Sequence, residues 1–341
     1  MSLPVSRVPD PMTAPSIRWG ILGSGMIASA FAYAVRTGTS STVAAVGSRD
    51  LDRARAFAAE HDVATAYGSY AELVAANVDV VYVASPHSEH REHALLALQA
   101  GKPILVEKAF TRNAAEAADV IGTAREHGLF CMEAMWSRFL PHYDVVRQLV
   151  GDGHLGRVHT VFADHGQLLW PGGPRRLADP ALAGGALLDL GIYPVSFAEM
   201  VLGEPADLVA VGTLTPQGVD STTSIVATSR SGAQAVLNAT MAAKTPTTAV
   251  IAGDQARIEI DGDFYHPNTV RLLSTAGEPI GTWAYDLDSA HFGLRYEAAE
   301  VARCLVAGLT ESPVLPTDTT LAIMRTLDRV RAHTGVRYPG E

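Results

Sequence analysis

Ile17-Arg18-Trp19-Gly20-Ile21-Leu22-Gly23-Ser24-Gly25-Met26-Ile27-Ala28 decides how the fold of this chain is read. An apolar strand runs straight into Gly-x-Gly-x-x-Ala, and a helical pattern follows at once. Gly23 permits the tight turn out of the strand. Gly25 has no side chain, so a pyrophosphate can approach the backbone, and Ala28 lets the helix pack close to the sheet. The N–H groups at the helix start then face the phosphates. Gly23, Ser24, Gly25, Met26 and Ile27 are therefore the expected diphosphate cradle of a dinucleotide. The motif alone is common; its strand–turn–helix setting near the N-terminus gives it weight.

Working outward, short β runs alternate with helical runs up to about Trp136. Thr42–Val46, Thr65–Tyr67, Val78–Ala84, Pro103–Val106 and Phe130–Glu133 read as further strands. Leu51–Glu60, Tyr70–Ala76, Glu89–Ala100 and Ala114–His127 read as helices between them. Such alternation means right-handed βαβ units and a doubly wound parallel sheet, with ligands at the carboxyl ends of the strands. Gly23, Ser48, Ser85, Glu107 and Glu133 are expected on that one rim. A helix over Phe139–Val150 ends in Gly151-Asp152-Gly153, and the pattern then changes. Eight β-rich runs between Val158 and Tyr285 are interrupted by one helix, about Leu187–Leu202. Two helices, about Phe292–Ala307 and Thr317–His333, close the chain. This second half reads as an α+β domain with a large, open, mostly antiparallel sheet. The expected division is a flexible leader (1–15), a nucleotide domain (16–136) and a substrate and oligomerisation domain (137–341), with the C-terminal helices free to pack back on the nucleotide domain.

The chain has 341 residues, 48% hydrophobic and 18% charged, with 26 Lys and Arg against 36 Asp and Glu. That composition supports two packed domains. A net charge of −10 argues against nucleic acid as the main partner. Cys131 and Cys304 sit in apolar runs, away from any metal-ligand spacing, and read as buried thiols of a cytoplasmic protein. No apolar run comes close to the ~20 residues of a membrane span. The first residues, with Pro4, Pro9, Pro11 and Pro15, lack the apolar core of a signal peptide.

The residue ending the second strand separates NAD from NADP. An acid there grips the ribose 2′-OH; a small residue with an Arg admits a 2′-phosphate. Here the chain reads Val46-Gly47-Ser48-Arg49-Asp50. Ser48 can donate a hydrogen bond, Arg49 can pair with the dianion, and Arg53 lies one turn on. Asp50 is expected to cap the next helix. NADP is favoured over NAD.

Two segments carry chemistry. Glu107-Lys108 ends a strand on the cofactor rim, where a lysine can stabilise charge on a substrate oxygen as hydride moves; the competing reading is a surface ion pair. In Gly184-Gly185-Ala186-Leu187-Leu188-Asp189-Leu190-Gly191-Ile192-Tyr193-Pro194, Asp189 and Tyr193 are one helical turn apart on an otherwise apolar helix. Tyrosine is a poor base at its ordinary pKa of ~10. An ammonium such as that of Lys108 would favour its phenolate and make an acid–base pair. The competing reading is a buried phenol with a satisfied hydroxyl.

The joint order of Gly-Ser-Gly-Met-Ile-Ala, Ser85-Pro86-His87-Ser88-Glu89-His90, Glu107-Lys108 and Gly-Gly-x-x-x-Asp-x-Gly-x-Tyr resembles the Gfo/Idh/MocA oxidoreductase family. Met132-Glu133-Ala134-Met135-Trp136-Ser137-Arg138-Phe139 and the Leu188–Pro194 segment most resemble its branch of dimeric dihydrodiol dehydrogenases and NADP-dependent D-xylose dehydrogenases. The resemblance implies a Rossmann domain and Lys108, Asp189 and Tyr193 as the catalytic group. It further implies Glu107 near the nicotinamide ribose, Ser85, Pro86, His87 and His90 over the cofactor, and Trp136 beside the active site. Two departures stand out: Ala109 follows Lys108 where the family commonly has proline, and His87 stands where many members have asparagine. The resemblance also implies a cyclic sugar, polyol or dihydrodiol as substrate and a homodimer.

Other constellations are weaker. His87, His90 and His93 recur every third residue, which spreads them around a helix rather than onto one ion, so no metal is expected. His165, with Gln167 and Trp170, and Arg176, beside Arg175, are candidates for the substrate pocket. The chain is expected to be an NADP-dependent oxidoreductase moving hydride between nicotinamide and a carbinol carbon. The alternative is a non-catalytic NAD(P)-sensing protein of the same fold, which would not need the catalytic trio.

Overall fold

The computed structural model describes residues 3–285 and 293–341. Among these the chain divides into two compact units: residues 9–139 with 293–321, and residues 3–8, 140–285 and 322–341. The first holds a six-stranded parallel sheet, β1 (Arg18–Leu22), β2 (Thr42–Gly47), β3 (Thr65–Tyr67), β4 (Val80–Val83), β5 (Ile104–Glu107) and β6 (Cys131–Ala134), in the order β3-β2-β1-β4-β5-β6. Helices α1 (Met26–Gly38), α2 (Leu51–His61), α3 (Tyr70–Val74), α4 (His90–Gln99) and α5 (Ala114–His127) connect the strands. β4, β5 and β6 are buried along their whole length. That explains their unbroken apolar runs, because a parallel sheet is covered on both faces.

Local chemistry sets the helix ends. Asp50 accepts from the N–H groups of Asp52 and Arg53 and caps α2, as its position predicts. Ser69 accepts from Glu72 N–H to start α3, and Asn113 does the same from Glu116 to start α5. Gly128, left-handed at φ 63°, stops α5. Beneath the sheet, Trp19 of β1 meets Phe31 of α1 edge-on at 4.9 Å. Phe31 in turn stacks on Tyr82 of β4 at 3.9 Å. Each such pair adds roughly 0.5–1.5 kcal/mol beyond the area it buries. Together they fix α1 under the two strands whose ends form the cofactor rim.

The second unit begins with α6 (Pro141–Gly151) and holds an eight-stranded sheet. Its strands are β7 (Val158–Gly166), β8 (Asp207–Leu214), β9 (Asp220–Thr228), β10 (Gln234–Thr240), β11 (Ala249–Gly253), β12 (Ala256–Ile260), β13 (Val270–Ser274) and β14 (Pro279–Trp283). The order is β14-β13-β12-β11-β7-β10-β9-β8, antiparallel except for the β7–β10 pair. α7 (Ile192–Leu202) covers β7 and β10 on one face. The stretch Pro180–Leu202 is apolar enough in length and composition to cross a membrane, contrary to the expectation that no run comes close. Its most apolar window is 89% buried inside the protein, so the apolarity serves packing. α8 (Leu294–Val306) packs on α1, and α9 (Thr317–Thr334) follows; Phe292, where the sequence reading starts this helix, lies outside the described residues.

Residues 3–15, expected as a loose leader, make defined contacts. The Arg7 guanidinium donates to Asp144 at 2.8 Å, Arg303 donates to the Asp10 carbonyl at 2.8 Å, and Leu3 and Pro11 are buried. The prolines that suggested looseness instead restrict the chain at little entropic cost.

Candidate active site

One group of candidate residues lies on the rim of the parallel sheet. Strand order reverses between β1 and β4, and that switch point is where open α/β sheets bind ligands. Gly23 follows β1 at φ 109°, and a Cβ there would lie 2.7 Å from the Ala84 carbonyl oxygen. Only glycine lets the two strand ends approach so closely. At Gly25, the N-cap of α1, a Cβ would meet nothing of the protein within 4 Å. Gly25, Met26 and Ile27 are exposed and Ser24 is half-buried, while Ala28 is fully buried. No acid occupies the first turn of α1. The cradle thus has bare helix N–H groups, open space above glycine and no competing carboxylate, which suits the diphosphate of a dinucleotide.

At the end of β2, Ser48 is buried, and Arg49 and Arg53 are exposed. Arg49 donates to Glu89 at 3.0 Å, and that carboxylate holds the guanidinium pKa above its ordinary value. After β4, half-buried Ser85 and Pro86 lead into a 3-10 turn, His87–Glu89. The three histidines do not converge on a point. His87 Nε2 lies 3.2 Å from the Lys108 carbonyl. His93 Nδ1 lies 2.9 Å from Ser85 Oγ. His90 sits between the carbonyls of Ser85 and Ala109, at 2.8 and 2.9 Å. Burial, then the neighbouring His87, push the His90 pKa down to about 3. Its neutral ring carries one N–H and donates to one of these carbonyls at a time. The turn after β4 is thereby tied to the strand end that carries Lys108. Among the described residues no group of three or more His, Cys, Asp or Glu is arranged to hold a metal ion.

Lys108 is half-buried beside buried Glu107. The Tyr82 hydroxyl donates to one Glu107 oxygen and Lys108 N–H to the other at 3.2 Å. The Lys108–Ala109 peptide is cis. Glu133 is 1% exposed and accepts from Phe110 N–H at 3.1 Å and the Thr320 hydroxyl at 3.2 Å. Burial pushes its carboxyl up to about 7. Glu297 of α8 is fully buried, and burial, then Glu107 and Glu133, raise its carboxyl well above the ordinary range. Sequence reading missed Glu297 because α8 joins this unit from far along the chain. Trp136, expected beside the active site, is 8% exposed in a 3-10 turn after β6.

A second group of candidate residues lies on the open-sheet unit. The helix read from the sequence over Leu187–Leu202 opens with a π-turn, Leu187–Gly191, a feature frequent at functional sites. At Gly191 an added Cβ would crowd Leu187 and Ala239 at 3.1 and 3.2 Å, so glycine lets this wider turn lie against β10. Asp220 of β9 is fully buried and accepts the Leu187 N–H at 2.8 Å and the Thr223 hydroxyl at 2.7 Å. Burial lifts its carboxyl to about 6. Asp189, 7% exposed, accepts from Arg176 at 2.9 Å. Tyr193 is 6% exposed. Its ring centroid lies 5.3 Å from His165 and 4.5 Å from Tyr265.

His165 Nδ1 faces the Leu190 carbonyl at 3.2 Å and must donate to it, which leaves Nε2 to accept from Gln167 at 2.9 Å. Gln167 also donates to the Tyr265 hydroxyl at 3.1 Å. His165, Gln167, Tyr193 and Tyr265 thus form one cluster, with Asp189 and Arg176 paired one turn before Tyr193. Tyr265 was not found from sequence; its only signal is the aromatic run Phe264-Tyr265-His266 between β12 and β13. Trp170 packs instead against the buried cluster of Leu177, Leu190 and Met241, and Arg175 is exposed.

The family model for the oxidoreductase family with the NAD-binding Rossmann fold (GFO_IDH_MocA) matches residues 17–135. The model for the GFO/IDH/MocA C-terminal domain matches 143–263. Trans-1,2-dihydrobenzene-1,2-diol dehydrogenase of Xenopus tropicalis is 36% identical over 330 residues, 94% of this chain and 99% of that protein. The Homo sapiens enzyme of the same name is 35% identical over 331 residues, 95% and 98% of the two chains. A 3-ketoreductase from Actinomadura kijaniata, solved with NADP and TDP-benzene, is 26% identical with a TM-score of 0.81, covering 94% of this chain and 98% of its own. With the cradle, both sheets and both sequence models in agreement over nearly the whole length, this chain belongs to the Gfo/Idh/MocA family of oxidoreductases.

Proposed function

We propose that this protein moves hydride between NADP and a carbinol or carbonyl carbon of a cyclic sugar, polyol or trans-dihydrodiol. Gly23–Ile27 would hold the diphosphate, Ser48, Arg49 and Arg53 the 2′-phosphate, and Ser85, Pro86, His87 and His90 with Glu107 the nicotinamide end. Bound cofactor supplies the hydride acceptor or donor. Tyr193 carries the proton to or from the substrate oxygen, Lys108 stabilises negative charge on that oxygen, and Asp189, paired with Arg176, orients the substrate. The observation that carries this reading is the buried Tyr193 phenol, walled by His165 and Tyr265: a proton-bearing group in an aromatic surround suited to a ring substrate. The substrates named for the relatives support the same class.

The test is a screen of sugars, inositols and dihydrodiols read by NADPH absorbance, repeated with Lys108→Met. Turnover should fall by about 10²–10⁴ while NADPH affinity stays within a few fold. Full turnover in that variant would sink the assignment. A non-catalytic sensor would turn over no substrate in the parent either.

The proposed assembly is a homodimer in the cytoplasm. Two free, buried thiols fit a reducing compartment. One face of the open sheet carries a row of apolar side chains paired across four strands, Val209–Val226–Val236–Phe162, each between 38 and 58% exposed. A twofold partner that presents the same row would cover it.

A further inference from the structure

Glu89 has no role in the cofactor site described so far. It ends the 3-10 turn after β4 and reaches across to the ribose end. Arg49 Nη1 donates to Glu89 Oε1 at 3.0 Å, with the Arg49 side chain 68% exposed and that of Glu89 22% exposed. The other Glu89 oxygen, Oε2, is buried without a hydrogen-bond partner among the described residues, 3.9 Å from His93 Nδ1. His93 already contacts Ser85 Oγ at 2.9 Å and packs edge-on against Tyr70 at 4.5 Å. The carboxylate thus has one oxygen buried and presents the other to Arg49. A guanidinium has five N–H donors, so Arg49 can meet a phosphate while Glu89 remains beside it. A 2′-phosphate on Arg49 then carries close to two negative charges near that carboxylate.

We propose, resting on the NADP reading above, that Glu89 is a specificity-determining residue: it holds Arg49 and opposes the 2′-phosphate, limiting the preference for NADP over NAD. The pairing with Arg49 is partly exposed and weak, so the phosphate can take the guanidinium over, but the carboxylate charge remains. The ribose of NAD carries no phosphate and does not feel this repulsion.

Glu89→Gln keeps the shape and the acceptor for Arg49 and removes the charge. NADPH and NADH dissociation constants would be measured by fluorescence titration in the parent, Glu89→Gln, Glu89→Ala and Arg49→Ala. Both Glu89 variants should bind NADPH roughly three- to tenfold more tightly, with NADH affinity within about twofold. The gain should shrink between about 50 mM and about 0.5 M salt, which a packing effect would not do. Unchanged or weaker NADPH binding in both Glu89 variants, with Arg49→Ala still losing NADPH affinity, overturns the role of Glu89 and leaves the NADP reading standing. Equal affinities for the two cofactors in the parent, with no effect of Arg49→Ala, overturn the NADP reading itself and the inference with it.

Discussion

A methyl group added at Gly25 meets nothing of the protein within 4 Å, whereas at Gly23 it would lie 2.7 Å from a carbonyl oxygen. The two glycines of one motif therefore differ: the fold needs Gly23, whereas Gly25 is free to serve the diphosphate, as proposed. Gly25 has an extended backbone, φ −86° and ψ −179°, which alanine adopts without strain. Gly25→Ala should melt within about two degrees of the parent yet bind NADPH at least tenfold more weakly, by calorimetry and titration. Unchanged affinity would remove the diphosphate from this turn. Tyr193 allows a similar separation. Tyr193→Phe keeps the ring against His165 and Tyr265 and deletes the hydroxyl proposed to carry the proton. The turnover number should fall by about 10²–10⁴, with NADPH affinity unchanged and a limb of the pH–rate profile lost. A variant with the parent's profile would assign the phenol to packing.

At the scale of elements, β5 and β6 bring buried acids to the rim, and the chain tolerates them at a cost. Glu133, at the end of β6, has its folded pKa raised from 4.5 to about 7 by burial. The folded state therefore holds this proton more tightly than the unfolded chain. The stability linked to it is fully present below pH 4.5 and is lost as pH rises through 7. The shift corresponds to about 3 kcal/mol. Glu133→Gln keeps an acceptor for Phe110 N–H and a partner for Thr320, and it does not ionise. Urea unfolding at pH 5 and pH 8 should show the parent losing stability relative to the variant across that range. Parallel behaviour of the two proteins would mean that Glu133 does not titrate there. The π-turn at Leu187–Gly191 is an element-scale feature of another kind: Asp220 and β10 dictate it, and no periodicity in Leu187–Leu202 announces it.

On the scale of the whole molecule, Val209, Val226, Val236 and Phe162 align on one face of the open sheet and stay 38–58% exposed. Val226 sits inside this row. Val226→Asp would place a carboxylate within the apolar row that a twofold partner is proposed to cover, which is unfavourable. Sedimentation should show the parent as a dimer and the variant shifted to monomer with its secondary structure intact. A monomeric parent at micromolar concentration would overturn the assembly.

The sequence by itself determined the two sheets, nearly all helix and strand positions, the helix cap at Asp50, and the glycine cradle. These follow from local rules: hydrophobic period, side-chain caps and the backbone freedom of glycine act within a few residues. It also singled out Lys108, Asp189 and Tyr193 as candidates, because charged or phenolic groups stand out in apolar runs. Only the tertiary structure decided their neighbours. The Arg49–Glu89 pair, the Glu297 carboxyl near Glu107 and Glu133, the Asp220 hold on the π-turn and the Tyr265 wall of Tyr193 each join residues at least 30 positions apart. Burial and charge between such residues depend on three-dimensional distance, which no pattern along the chain encodes.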